Sequence, residues 1–118
     1  MRTVGFYTTV AGAAPVRDFL RELPEQAKRK VAWTLKVIQD LDRVPTEYFK
    51  KLSGTDEIWE VRVETSGVAI RLLGFFDGNN FIILTNGFLK KTDKIPKQEI
   101  ILAETRKNDY TTRQRTIK

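Results

Sequence analysis

Across residues 58–86 apolar and polar side chains alternate with the two-residue period of a β-strand, interrupted twice by turn residues. The runs are Ile58-Trp59-Glu60-Val61-Arg62-Val63-Glu64, Ile70-Arg71-Leu72-Leu73 and Phe81-Ile82-Ile83-Leu84-Thr85-Asn86. Thr65-Ser66-Gly67 and Asp77-Gly78-Asn79-Asn80 separate them, and Gly and Asn accept the positive φ that tight hairpins need. The pattern predicts a three-stranded antiparallel meander. A two- or four-residue first loop sets Val63 against Ile70, Val61 against Leu72 and Arg62 directly against Arg71. On that register Trp59, Val61, Val63, Ile70, Leu72, Phe81 and Ile83 share the face that helices cover. Ile58, Leu73, Phe75, Ile82, Leu84 and Phe88 share the other face with Glu60, Arg62, Arg71, Asn86 and Lys90. An odd second loop, or a bulge, would flip the third strand. The second face is too apolar to be left to water, so the C-terminal helix, a loop or a partner is expected to cover it.

The flanks change period. Residues 3–8 read as a strand, with Val4 and Phe6 alternating against Thr3 and Gly5. Pro15 suits the first position of a short helix with Val16, Phe19, Leu20 and Leu23 on one stripe. Pro24 ends it and opens a second helix over residues 25–42, where Ala27, Val31, Leu35, Ile38 and Leu41 recur at helical spacing. Residues 48–54 read as a short extended or turn-rich lead into the meander. Pro96 opens a last helix to about Lys107, with Ile100 and Ala103 on its buried side. Residues 108–118 are polar and aperiodic, and are expected to fray or to order only with a partner. The expected fold is α+β over residues 1–107, in the order β-α-α-β-β-β-α, followed by a polar basic tail at 108–118. A helical hairpin covers one face of a small antiparallel sheet.

Composition narrows the chemistry. The chain has 118 residues, enough for one ordinary core, and it has neither cysteine nor histidine. Thiolate metal sites, a cysteine nucleophile and the usual neutral-pH acid–base side chain are therefore excluded. No apolar run approaches the ~20 residues of a membrane span, and no secretory leader is visible, so a cytoplasmic protein is expected. Neither a metal motif nor a nucleotide-binding glycine pattern occurs, and no cofactor is expected. Net charge is +6, unevenly spread. Residues 1–85 carry 12 basic and 11 acidic side chains, whereas residues 86–118 carry 9 basic and 4 acidic. That concentration favours a polyanionic partner such as nucleic acid, against the plainer account of a solvated basic tail.

Arg62 opposite Arg71 is the most specific feature. Like charges directly opposed on a sheet are destabilising, so folding alone demands a partner, and Glu60 and Glu64 on the same face can supply it. The functional account is that two forked guanidiniums await an anion, most simply a phosphate. The pattern leaves both open. Arginine and lysine without histidine can bind phosphate, offset charge on a phosphorane and donate a proton, but no strong base is evident.

Lys51-Leu52-Ser53-Gly54, Ile58 through Arg62, Ile70-Arg71-Leu72-Leu73, Phe88-Leu89-Lys90-Lys91, Pro96 and Glu99 through Arg106 together resemble the RelE/ParE toxin superfamily. The similarity is closest to its phage-derived Gp49-like, HigB-type branch and runs from Phe49 to Tyr110. The resemblance implies a microbial-ribonuclease-like fold. It implies the toxin of a type II toxin–antitoxin pair that cuts mRNA on the ribosome without a metal, leaving a 2′,3′-cyclic phosphate and a 5′-hydroxyl. Carried over by position, Arg71 would stabilise the phosphorane and Arg62 would position the phosphate or move a proton. Lys90 would neutralise the leaving oxygen, and Tyr110 would stand for the family's late Tyr or His. Lys50, Lys51, Lys91 and Lys94 would hold messenger or ribosomal RNA. Glu60 departs from the pattern, standing where some active relatives have a basic residue. A ParE-like inhibitor of DNA gyrase, or a non-catalytic RNA-binding remnant in which Glu60 holds the arginines, are the alternatives. The implied partner in each case is a helix-turn-helix antitoxin.

Overall fold

In the computed structural model, which describes residues 1–117, the meander forms as its turn chemistry requires. Strands β3 (Trp59–Thr65) and β4 (Val68–Asp77) are joined by Ser66 and Gly67 at φ 46° and 75°, the mirror-image turn whose twist matches paired strands. The register is the expected one: Val63 faces Ile70, Val61 faces Leu72 and Arg62 faces Arg71.

The third strand of the meander departs from expectation in an instructive way. Strand β5 (Phe81–Leu89) begins with Phe81 paired to Asp77, so the loop has the odd length that flips parity. A register shift between Leu73 and Gly74 then leaves Thr85 as an extra residue, because Leu73 faces Asn86 while Gly74 faces Leu84. This bulge flips the strand back. Asn86, Phe88 and Lys90 consequently lie on the Arg62/Arg71 face as expected. Ile82 and Leu84 do not: they enter the core under the helical hairpin, and Ile83 goes to the opposite face. Gly74 makes the bulge possible, since a Cβ there would lie 2.5 Å from the Ile83 carbonyl oxygen.

Two more strands extend the sheet. The segment before the meander forms β2 (Phe49–Lys51), which pairs antiparallel with β3 and sets Lys50 opposite Glu60. Strand β1 (Thr3–Phe6) pairs parallel with β5, the geometry forced when a helical hairpin carries the chain across one face. The sheet is therefore mixed and five-stranded, ordered β1-β5-β4-β3-β2, and the chain reads β-α-α-β-β-β-β-α.

Helices α1 (Pro15–Arg21) and α2 (Glu25–Asp40) cover one face, packing Val16, Val31 and Ile38 onto Val61, Ile70, Leu72 and Leu84. Trp59 anchors this core by stacking on Phe49 at 4.7 Å and meeting Phe76 edge-on at 5.3 Å. Helix α3 (Lys97–Ile117) covers the second face, with Ala103 against Ile58, Leu73 and Phe88, and Tyr110 against Phe75. It runs well beyond Lys107, where its apolar periodicity ends. Polar pins hold the extension. Tyr7 donates to Asp109 at 2.6 Å, Arg113 pairs with Asp109 at 2.9 Å and donates to the Thr8 carbonyl, and Tyr110 donates to Asp77 at 2.7 Å. Residues 108–117 are thus helix and not a frayed tail. Lys118 lies outside the described residues.

Candidate nucleic-acid interface

Strand pairing builds the second face in rows. One row holds Arg62, Arg71 and Phe88, and the Arg62 N–H donates to the Tyr48 carbonyl at 2.9 Å. The neighbouring row on one side holds Lys50, Glu60, Leu73 and Asn86. On the other side Glu64 faces Ala69, whose carbonyl accepts the Lys90 N–H at 2.8 Å. Arg62, Arg71 and Lys90 therefore do meet at one corner, with Lys50 at its edge.

The repulsion between the arginines is answered by carboxylates. Arg71 is 2% exposed; its Nε lies 3.2 Å from a Glu60 oxygen and its Nη2 2.8 Å from a Glu64 oxygen. Its Nη1 donates to the Ile70 carbonyl at 3.0 Å. Arg62 is 33% exposed and only 3.8 Å from Glu60, and its buried Nε makes no hydrogen bond. Arg71 is thus sequestered by two glutamates, while Arg62 keeps an open guanidinium edge. That arrangement removes Arg71 from direct contact with a phosphate and leaves it as the charge that orients Glu60 and Glu64.

The lysines divide as well. Lys50, Lys91 and Lys94 are exposed and Lys90 is half-buried, and among the described residues none of the four side chains has a salt bridge. Lys51 differs: it pairs with Glu57 at 2.6 Å and, one position along β2, points to the opposite side of the sheet from Lys50. Tyr110 is not brought to the corner at all. Its ring packs on Phe75 and its hydroxyl on Asp77, six residues along β4 from Arg71, roughly 20 Å at strand rise. Burial, then the Asp77 hydrogen bond and charge, push its pKa up to about 12. A phenol held that way fastens a helix; it is separated from the corner's chemistry. Tyr7 at the same end is also raised by burial and by Asp109, while the Tyr7 hydrogen bond and Arg113 lower Asp109.

The run Lys28-Arg29-Lys30 reads in sequence as a solvated helix face that could touch a nucleic-acid backbone, but sequence reasoning missed Trp33, Glu47 and Tyr48, which border the corner with Lys30. Lys30 Nζ sits 4.4 Å from the centroid of the Trp33 ring, and Trp33 meets Tyr48 edge-on at 5.5 Å. Lys30, Glu47, Tyr48, Arg62 and Glu64 line a groove of about 260 Å³ there. The one-turn spacing of Lys30 and Trp33 was legible. The approach of Tyr48 was not, because it depends on β2 joining the sheet.

Among the described residues no group of three or more Asp or Glu side chains is placed to share a metal ion, and no helix is long and apolar enough to cross a membrane. No curated protein matches the chain. A family model described as phage-derived protein Gp49-like (DUF891) matches residues 18–108, from α1 into α3. That span contains Arg62, Arg71 and Lys90 and excludes both β1 and Tyr110. Covering well over half the chain, the match establishes that this protein belongs to the Gp49-like family, which is the RelE/HigB type of toxin.

Proposed function

We propose that this chain is the toxin of a type II toxin–antitoxin pair and cuts mRNA on the ribosome without a metal. The observation that carries the reading is the open corner of the second face. There Arg62 and Lys90 flank the sequestered Arg71, and among the described residues Lys50, Lys91 and Lys94 are exposed and have no salt bridge.

The chemistry follows from what is exposed. The RNA 2′-oxygen attacks the adjacent phosphorus, and the bond from phosphorus to the 5′-oxygen breaks. Glu64, 63% exposed and held by Arg71, takes the 2′-hydroxyl proton in this reading. Arg62 offsets charge on the phosphorane oxygens, and the Lys90 ammonium gives its proton to the departing 5′-oxygen. The products are a 2′,3′-cyclic phosphate and a 5′-hydroxyl, and exchange with water resets both side chains. Arg71 is a positioning residue, acting through Glu60 and Glu64. Lys50, Lys91 and Lys94 track messenger or ribosomal RNA backbone, and Lys51 joins them only by exchanging Glu57 for phosphate.

An antitoxin, expected to carry a helix-turn-helix domain, has a second surface available. A groove between α1 and α2 has Leu20, Val31 and Leu35 on its floor and Arg17, Arg21 and Lys28 on its rim, which suits an acidic amphipathic segment.

One observation favours a second reading. Glu60 is buried against both arginines, as a non-catalytic RNA-binding remnant requires. Induction in cells separates the two, using wild type, Arg62→Ala and Glu64→Gln, with growth followed and mRNA 5′ ends mapped. Wild-type arrest with new in-frame cuts, absent in both variants at unchanged Tm, supports the nuclease. Arrest without cuts points to gyrase inhibition, and no effect from wild type leaves the remnant.

A further inference from the structure

We propose that the groove between α2 and the β2–β3 edge is a nucleobase subsite, taking one unstacked base of single-stranded RNA beside the phosphate-binding corner. This rests on the RNA-directed reading above and adds to it the part of the substrate that this site holds.

Trp33 is the starting point. It is 46% exposed on a helix whose buried positions are Ala27, Val31, Thr34 and Ile38, so the core under α2 closes without it. Its ring is nevertheless not loose. Lys30, one turn earlier, places its ammonium 4.4 Å from the ring centroid, and the Tyr48 ring meets it at 78°. Two aromatic planes near a right angle form a corner in which a base stacks on one and is met edge-on by the other.

Charge says which part of a nucleotide belongs there. The groove is lined by two cations, Lys30 and Arg62, and two carboxylates, Glu47 and Glu64. Their formal charges cancel, so the groove offers a phosphate little, unlike the lysines around Lys90. A base edge carries both donors and acceptors. Carboxylates accept from exocyclic amino groups, and guanidinium or ammonium groups donate to ring nitrogens and carbonyl oxygens. Trp33 borders this groove through Lys30 and Tyr48, and Arg62 and Glu64 belong both to the groove and to the corner, so a base held in the groove lies beside the phosphate-binding side chain Arg62. Aromatic stacking of this kind is how single strands are held without reading a duplex.

The test is anisotropy titration of the full chain with a fluorescein-labelled ten-nucleotide single-stranded RNA. A labelled abasic ribose-phosphate strand of the same length is titrated in parallel, each over a series of salt concentrations. Trp33→Ala is expected to weaken RNA binding about tenfold, to leave its salt slope unchanged and to leave the abasic strand unaffected. Trp33→Phe is expected to restore most of the loss. Trp33 lies on the surface and alanine favours helix, so an unchanged thermal transition accompanies both. Equal RNA affinity of wild type and Trp33→Ala would overturn the subsite while the RNA reading stands. An equal loss on the abasic strand would overturn it too, since the effect would then not lie in a base. Failure of the wild type to bind RNA at any salt would overturn the functional reading and the subsite together.

Discussion

The two ends of the sheet's second face use the same kinds of residue to opposite ends. At the Tyr7 end, Asp109, Arg113, Tyr110 and Asp77 bond one another, and Arg106 donates to the Thr85 carbonyl at 2.8 Å. Each of these named polar groups has a protein partner, and together they fasten α3. At the Arg71 end Arg71 is ion-paired with two glutamates although its buried Nε makes no hydrogen bond, Arg62 is 3.8 Å from Glu60, and among the described residues Lys50 and Lys90 have no salt bridge. A satisfied network stabilises; a surplus of one sign is available for a ligand. Candidate function therefore follows the surplus and not the most perturbed side chain, because Tyr110, shifted furthest, belongs to the satisfied end.

The comparison can be broken most forcefully at Glu60. Removing one partner of a buried ion pair leaves an uncompensated charge, so Glu60→Ala is expected to cost about 3–5 kcal/mol in urea unfolding. Replacing the pair together, Glu60→Leu with Arg71→Met, is expected to recover most of that stability. It would nonetheless abolish RNA cleavage, because Glu64 loses its anchor. A small effect of Glu60→Ala would mean that the corner is wetter than its burial indicates.

Gly74 lies between the two ends. With a Cβ landing 2.5 Å from the Ile83 carbonyl, Gly74→Ala is expected to destabilise by about 1–3 kcal/mol and shift the register of β5. Amide chemical shifts would then change at both ends, at Lys90 and at Tyr110.

Tyr110→Phe removes a single exposed hydrogen bond and is expected to cost about 0.5–1.5 kcal/mol near neutral pH with cleavage unchanged. Its pH dependence sharpens the assignment. The folded phenol titrates at about 12, above its ordinary value of 10, so it favours the protonated form. Its contribution is full below pH 10 and is lost as pH rises towards 12. The stability difference between wild type and Tyr110→Phe should be flat below pH 9 and shrink across that window. Loss of cleavage in Tyr110→Phe would instead return the tyrosine to the catalytic set.

The smallest effects on stability belong to the surplus cations. Lys50→Ala and Lys90→Ala should each change stability by less than about 0.5 kcal/mol. Each should also lower the salt slope of single-stranded RNA binding by about 0.7.

What the sequence revealed depends on how local the cause was. Ser66-Gly67 permits one hairpin geometry, and from it the facing of Arg62 and Arg71 follows directly. The identity of the faces beyond Leu73 did not follow, since Thr85 looks like any alternating strand residue and its bulge depends on Gly74 meeting Ile83 across the sheet. The second half of α3 was hidden for a related reason. Its anchors are polar and lie on Tyr7, Thr8 and Asp77, far away in sequence, so no apolar periodicity announces them. The facing of Arg62 and Arg71 was legible through the first hairpin, whereas Lys90 shares their face only because the odd second loop and the bulge at Thr85 cancel. The electrostatic state of the corner was not legible, because Glu60 and Glu64 choosing Arg71 over Arg62 is decided by depth of burial.

The parallel edge has a consequence for how the chain assembles. The strand partners of residues 3–6 are residues 81–84, and the pins on Tyr7 and Thr8 come from still later in the chain. Closing so long a loop costs entropy that local pairing does not, so the meander can zip while β1 still wanders. Until β1 docks, one flank of β5 presents unpaired amides and carbonyls to any strand that passes. Amide protons of residues 3–6 should exchange with solvent faster than those of residues 70–73, and any partner that adds a strand would compete with the protein's own beginning for that berth.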